Sequence, residues 1–159
     1  MSTTADYRRP VSWITLVVFV VVVVGLGGLI GTQSIPGAWY EGLQKPPFNP
    51  PNWIFGPVWF TLYVMIGIAG WRVWIRDRTG AAMKLWVAQM LLNWAWSPVW
   101  FIGQMLWPAF AIIVLMLAAI LAFIAVNWRQ DRIASMLFVP YASWVAFASV
   151  LNLSIAILN

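Results

Sequence analysis

The chain has 159 residues, of which 63% are hydrophobic and only 8% charged. A water-soluble domain carries about 25% charged residues, so this composition excludes an ordinary soluble fold and makes lipid the solvent. Cysteine and histidine are absent, which excludes disulfides, thiolate chemistry, and imidazole as metal ligand or general base.

A membrane helix needs roughly 20 apolar residues to cross about 30 Å of hydrocarbon. Five stretches meet that length: 12–31, 53–74, 83–103, 108–128 and 133–158. They predict an all-α membrane protein, a bundle of five transmembrane helices in one domain spanning 1–159. The first stretch follows Arg8 and Arg9 as a leader's apolar core would, but it is too long for one and no small-residue cleavage site follows. It is therefore expected to be a retained helix. Its valines (Val17, Val18, Val20 to Val24) favour a strand in water; the length and freedom from charge favour a membrane helix.

The loop at 33–52 follows. Five prolines (Pro36, Pro46, Pro47, Pro50, Pro51) stiffen it into polyproline-like stretches with no expected helix or strand. A loop of this length is either a functional lid or a spacer that plugs one end of the bundle.

The second span brings Trp59 and Tyr63. The third carries a polar stripe, Gln89, Asn93, Ser97, Trp100 and Gln104, on one helical face. Such a stripe points into the bundle, either as interhelical glue or as a cavity wall. The fifth span offers a facing set: Tyr141, Trp144, Ala148 and Asn152. Together these predict an aromatic-walled pocket with a few amides to orient a ligand, suited to a large, flat, mostly apolar molecule. An iron porphyrin would lack its commonest axial ligands here, whereas a metal-free porphyrin has no such need.

The remaining features are bland or open. Of the 13 tryptophans, Trp13, Trp53, Trp74, Trp107 and Trp128 fall near span ends, where aromatic belts form. Trp59, Trp94, Trp96, Trp100 and Trp144 fall deeper, where indole N–H groups are expected to need partners. Gly27 and Gly31 form a GxxxG, which is either a contact within the bundle or a dimer seam. The acids are Asp6, Glu41, Asp77 and Asp131; none lies within a span, so no proton relay is expected.

Charge fixes the expected orientation. With five spans, Arg8, Arg9, Arg72, Arg76, Arg78, Lys84, Arg129 and Arg132 share one side, and Lys45 stands alone on the other. Basic flanks stay cytoplasmic. The N-terminus is therefore expected inside and the C-terminal end outside. The net charge of +5 is thus membrane-flank charge, and no nucleic-acid partner is expected.

Three blocks resemble the TspO/MBR family, the tryptophan-rich sensory and translocator proteins: WYEGLQKPPFNPPNWIFGPVW (39–59), LNWAWSPVWF (92–101) and FVPYASWVAFASVLN (138–152). The resemblance implies a five-helix bundle, often a homodimer, whose pocket is capped by the first loop. It implies a receptor or sensor of porphyrins such as protoporphyrin IX, with haem a further candidate, as ligands rather than obligatory cofactors. It also implies binding of isoquinoline carboxamide and benzodiazepine drugs. Some bacterial relatives break down protoporphyrin in light with two pocket tryptophans. By motif these look like Trp59 and Trp144, the candidate catalytic residues here. Transport of tetrapyrroles or sterols is a further alternative. The other implied pocket positions are Tyr40, Asn93, Ser97, Trp100, Ala148 and Asn152. The segment VLNLSIAILN lacks the Tyr and basic residue of the family's sterol pattern. A multi-pass protein of a bacterial inner membrane, with lipid and a porphyrin as partners, is the resulting expectation.

Overall fold

The computed structural model describes residues 10–159, and among these there is no strand. Asp6, Arg8 and Arg9 lie outside the described residues. The helices are α1 (Pro10–Gln33), α2 (Ala38–Gly42), α3 (Asn52–Arg76), α4 (Ala81–Ser97), α5 (Leu106–Asn127) and α6 (Arg132–Leu158), with a π-helical segment at Pro98–Ile102.

Four of these, α1, α3, α5 and α6, are long and apolar enough to cross a membrane. Several such helices make this an integral membrane protein. The expected third span differs. Its α-helix is only 17 residues long, because Pro98 brings no N–H to continue the ladder. The chain rewinds as a π-turn closed by Gly103 N–H donating to the Pro98 carbonyl at 2.8 Å. Gln104 then takes φ 55°, the left-handed region, and Met105 N–H returns to the Val99 carbonyl at 3.1 Å. Gln104 thus leaves the polar stripe expected of it and becomes a turn residue, half in the manner of a helix-ending glycine.

The first loop also differs from expectation, because it contains a helical turn. Residues 38–42 hold no proline, and Glu41 N–H closes the turn onto the Gly37 carbonyl at 3.0 Å. The prolines flank this turn instead of interrupting it.

The bundle closes as a ring. α5 lies between α4 and α6, α3 packs on α6, α1 runs along α3, and α4 touches both α1 and α3. Without a hydrophobic drive between helices in lipid, close backbone approach at small residues holds such contacts. A Cβ on Gly67 would stand 2.9 Å from Val20 Cα, and one on Gly70 would strike the Trp86 ring. Further in, Phe123 and Phe138 stack at 3.9 Å between α5 and α6. The opposite faces carry Val17, Val18, Val21, Leu115, Leu121 and Val150 outward, a surface that only lipid or another apolar partner can cover.

The basic end is tied by one acid. Asp131 is the N-cap of α6 and accepts from Ala134 N–H at 3.0 Å. Both its oxygens also take the Arg72 Nε–H, at 3.1 and 3.0 Å, and Arg76 stands 3.7 Å away. Arg76 in turn donates to Asn127 at 2.6 Å. The last turn of α3 is thereby locked to the α5–α6 turn, and the first loop with Lys45 sits at the other end of the bundle.

Candidate ligand-binding site

A cavity of about 710 Å³ occupies the end of the bundle under the first loop. That lies within the range of small-molecule sites, ~300–1,000 Å³. No charged side chain lines it among the described residues.

Three helices build its aromatic walls. On α3, Trp59 and Tyr63 are one turn apart, their rings 5.3 Å from each other. The segment from α4 into the π-turn brings Trp96 and Trp100 into a stack, 5.7 Å and 15°. Trp39 meets Trp100 edge-on at 6.2 Å. On α6, Trp144 stands against Phe55 at 5.8 Å, with Ala148 and Asn152 on the same face nearer the first loop. The roof is Tyr40, 4% exposed. Its hydroxyl donates to Asn49 Oδ1 at 3.3 Å, and Lys45 rests on its ring at 4.6 Å. Burial pushes the Tyr40 phenol above its ordinary value, partly offset by Asn49, so the roof residue stays neutral and protonated at physiological pH.

Of the sequence-predicted positions, Tyr40, Trp59, Tyr63, Ser97, Trp100, Trp144, Ala148 and Asn152 line this cavity. Asn93 and Tyr141 do not. Asn93 Oδ1 accepts from the Tyr63 hydroxyl at 3.0 Å, and its Nδ2 donates to the Tyr141 oxygen at 2.9 Å. Tyr141 donates on to Gln89 Oε1, also at 2.9 Å. These groups are interhelical glue behind the wall, the alternative that the polar stripe left open. Asn152 lines the cavity, and its amide also ties the walls together: it accepts from Trp96 Nε1 at 3.1 Å and donates to the Leu106 carbonyl at 3.2 Å, which leaves one N–H and one lone pair. The amides expected to orient a ligand thus also hold the walls together.

Nor do all the deep indoles find partners. Trp96 is satisfied by Asn152, whereas Nε1 of Trp94 and of Trp144 is buried with no partner among the described residues. Ser34 Oγ, at the edge of the cavity, shares that condition.

Sequence reasoning missed the contribution of α1. Gly27, Gly28, Gly31, Ser34 and Ile35 line one side. Gly27 sits so close that a Cβ there would overlap the Tyr63 ring, while Gly28 and Gly31 face open space. The GxxxG is thus a contact within the bundle at Gly27 and a bare cavity wall at Gly31. The available signal was the clustering of glycines in the outer half of α1, where a helix with no side chains leaves room. Ile113 and Met116 of α5 also reach the floor, and nothing in the sequence distinguished them from other apolar α5 residues.

The model of the TspO/MBR family matches residues 14–158, nearly the whole chain and all three walls of the cavity. The chain belongs to the TspO/MBR family. It is similar to the translocator protein of Ovis aries, 38% identical over 135 residues covering 79% of each chain. It is also similar to protein CrtK of Rhodobacter capsulatus, 34% identical over 155 residues, 92% of this chain and 94% of that one. The tryptophan-rich sensory protein of Cereibacter sphaeroides is 33% identical over 135 residues, 85% of each. Membership in this family agrees with the integral membrane character already given by the apolar helices.

Proposed function

We propose that this TspO/MBR protein is a membrane receptor or sensor that binds porphyrins, protoporphyrin IX foremost, in the cavity under the first loop. The observation that carries the reading is a cavity of about 710 Å³ walled by Trp59, Trp96, Trp100 and Trp144, with no charged side chain on its lining among the described residues. Indole faces favour a planar π-system through stacking. The names of the relatives, sensory and translocator proteins, support a role in sensing or moving a small ligand.

Metal-free porphyrin suits these walls better than haem. Neither histidine nor cysteine is available to an iron. Met116 is the one thioether on the wall among the described residues, and its sulfur lies 3.3 Å from the Tyr141 hydroxyl oxygen. Any acidic edge of the ligand would be directed toward the mouth, where water and Lys45 are near.

The membrane arrangement belongs to this proposal. α4 with its π-turn, running from Ala81 to Ile102, serves as the remaining span, giving five. The basic end faces the cytoplasm by the positive-inside rule, and the cavity mouth faces outward across a bacterial inner membrane. A homodimer would use the outward apolar faces.

The test is quenching of tryptophan fluorescence by protoporphyrin IX in nanodiscs. Saturable quenching that weakens in Trp59→Phe and Trp144→Phe supports the site; equal affinity in all three proteins removes it. Light-dependent breakdown of the bound porphyrin is the second reading. It is favoured by indoles lining a cavity with no acid–base pair among the described residues, and mass spectrometry after illumination decides it, since intact porphyrin would leave the protein a binder.

A further inference from the structure

The first loop is fastened to the end of α6 by one side chain. Asn159, the C-cap of α6, accepts the backbone N–H of Gln44 on Oδ1 at 2.9 Å and donates from Nδ2 to the Gln44 carbonyl at 3.0 Å. Its second Nδ2 proton goes to the Ile155 carbonyl at 2.8 Å. Both protons and the oxygen of the amide are thus used. A planar amide facing a peptide in this reciprocal way fits only when both backbone groups of one residue point at it.

The clasp joins two parts of the cavity. Gln44 follows α2, whose Tyr40 forms the roof, and Lys45 returns its ammonium to the Glu41 and Leu43 carbonyls at 3.1 and 3.2 Å. On the other side, Ile155 lines the cavity and packs in the same cluster as Tyr40. The roof is otherwise held by packing and by the Tyr40–Asn49 bond. The two bonds from Gln44 to Asn159 tie the loop backbone to the C-terminal end of α6, 115 residues away in sequence.

We propose that Asn159 is a positioning residue for the binding site: its clasp on Gln44 holds the roof shut and sets the rate at which ligand enters and leaves. This rests on the binding function proposed above. The clasp stabilises the closed roof whether or not the cavity is filled. Removing it therefore raises the association and dissociation rates together and leaves their ratio nearly unchanged. The two bonds lie at an exposed edge where water competes, each contributing modestly, so an effect of roughly 3- to 10-fold on both rates is expected.

The experiment uses stopped-flow mixing of protoporphyrin IX with the full chain in nanodiscs, together with hydrogen–deuterium exchange of the ligand-free protein. Asn159→Ala is expected to speed both binding and release with affinity within about twofold, and to speed exchange at the Glu41 and Leu43 amides. Asn159→Asp keeps the acceptor and loses both donors, so it should fall between. Gln44→Ala keeps the backbone groups and should match the wild type. Unchanged rates in Asn159→Ala, or an equal change in Gln44→Ala, overturn the proposal. A change confined to affinity does so as well. If the wild type takes up no porphyrin, the binding function fails by itself, and the clasp is then judged by exchange alone: unaltered protection of Glu41 and Leu43 in Asn159→Ala refutes it.

Discussion

Asn93 Nδ2 donates to the Tyr141 hydroxyl at 2.9 Å, and this bond joins α4 to α6 behind the cavity wall. Both residues sit on faces that point inward, as ligand contacts would. The bond between them, extended to Tyr63 and Gln89, makes them structural. Asn93→Leu takes the acceptor from the Tyr63 hydroxyl and the donor from the Tyr141 oxygen, which keeps Gln89, and should destabilise the protein by about 1–2 kcal/mol. Thermal unfolding in detergent should show this, with porphyrin affinity in the surviving fold changed by less than threefold.

Asp131 serves both as helix cap and as counter-ion, and substitution separates the two roles. Asn is as good an N-cap as Asp, so Asp131→Asn removes only the ion pair with Arg72 and Arg76. The pair is buried on the acid's side, and the arginines keep some solvent, 18% exposed. A loss of about 2–3 kcal/mol follows, at or below the low end for broken buried pairs because the arginines are partly solvated. Asp131→Ala should cost about 1 kcal/mol more through the lost cap. Equal unfolding temperatures for the two variants would show that the cap contributes nothing.

Gln104 holds φ 55° at the turn between the π-segment and α5. Most L-residues pay about 1–2 kcal/mol for this region, and glycine does not. Gln104→Gly should therefore raise stability by about 0.5–1 kcal/mol after the added chain entropy. A rise in the unfolding temperature checks it; a fall would mean that the Gln104 side chain makes a contact worth more than the backbone strain.

Gly27 and Gly25 lie on one helix and should respond oppositely. A Cβ at Gly27 overlaps the Tyr63 ring, and one at Gly25 meets nothing within 4 Å. Gly27→Ala should destabilise by about 1–3 kcal/mol, as overpacking does. Gly25→Ala should be neutral or stabilise by up to about 1 kcal/mol through helix propensity. Unfolding of the two variants side by side measures the difference.

Much of this was legible from periodicity and charge. The lengths of α1, α3, α5 and α6 followed from apolar runs, and among the described residues the basic ones other than Lys45 converge on one end because consecutive long helices run antiparallel. The aromatic positions Trp59, Trp100 and Trp144 lie on inward faces by spacing alone. Three things were not legible. Spacing puts a polar side chain on a face but cannot say whether it reaches a cavity or another side chain, which is why Asn93 and Tyr141, off the lining, could not be told from Asn152, on it. A glycine declares nothing about what its missing side chain makes room for, so the α1 wall at Gly28 and Gly31 stayed hidden. The π-turn had a visible cause in Pro98, but proline is also compatible with a simple kink, so its form was open.

The central claim is that the cavity under the first loop holds the porphyrin. Gly31→Leu tests it most directly, because Gly31 lines the cavity and nothing stands within 4 Å of a Cβ there. The added side chain should fill space without disturbing the helices. Protoporphyrin IX titrated into nanodiscs carrying the wild type and Gly31→Leu gives the dissociation constant of each. A loss of at least tenfold, about 1.4 kcal/mol, with the unfolding temperature unchanged, is the predicted result. Equal affinity in the two proteins would place the ligand elsewhere and contradict the account.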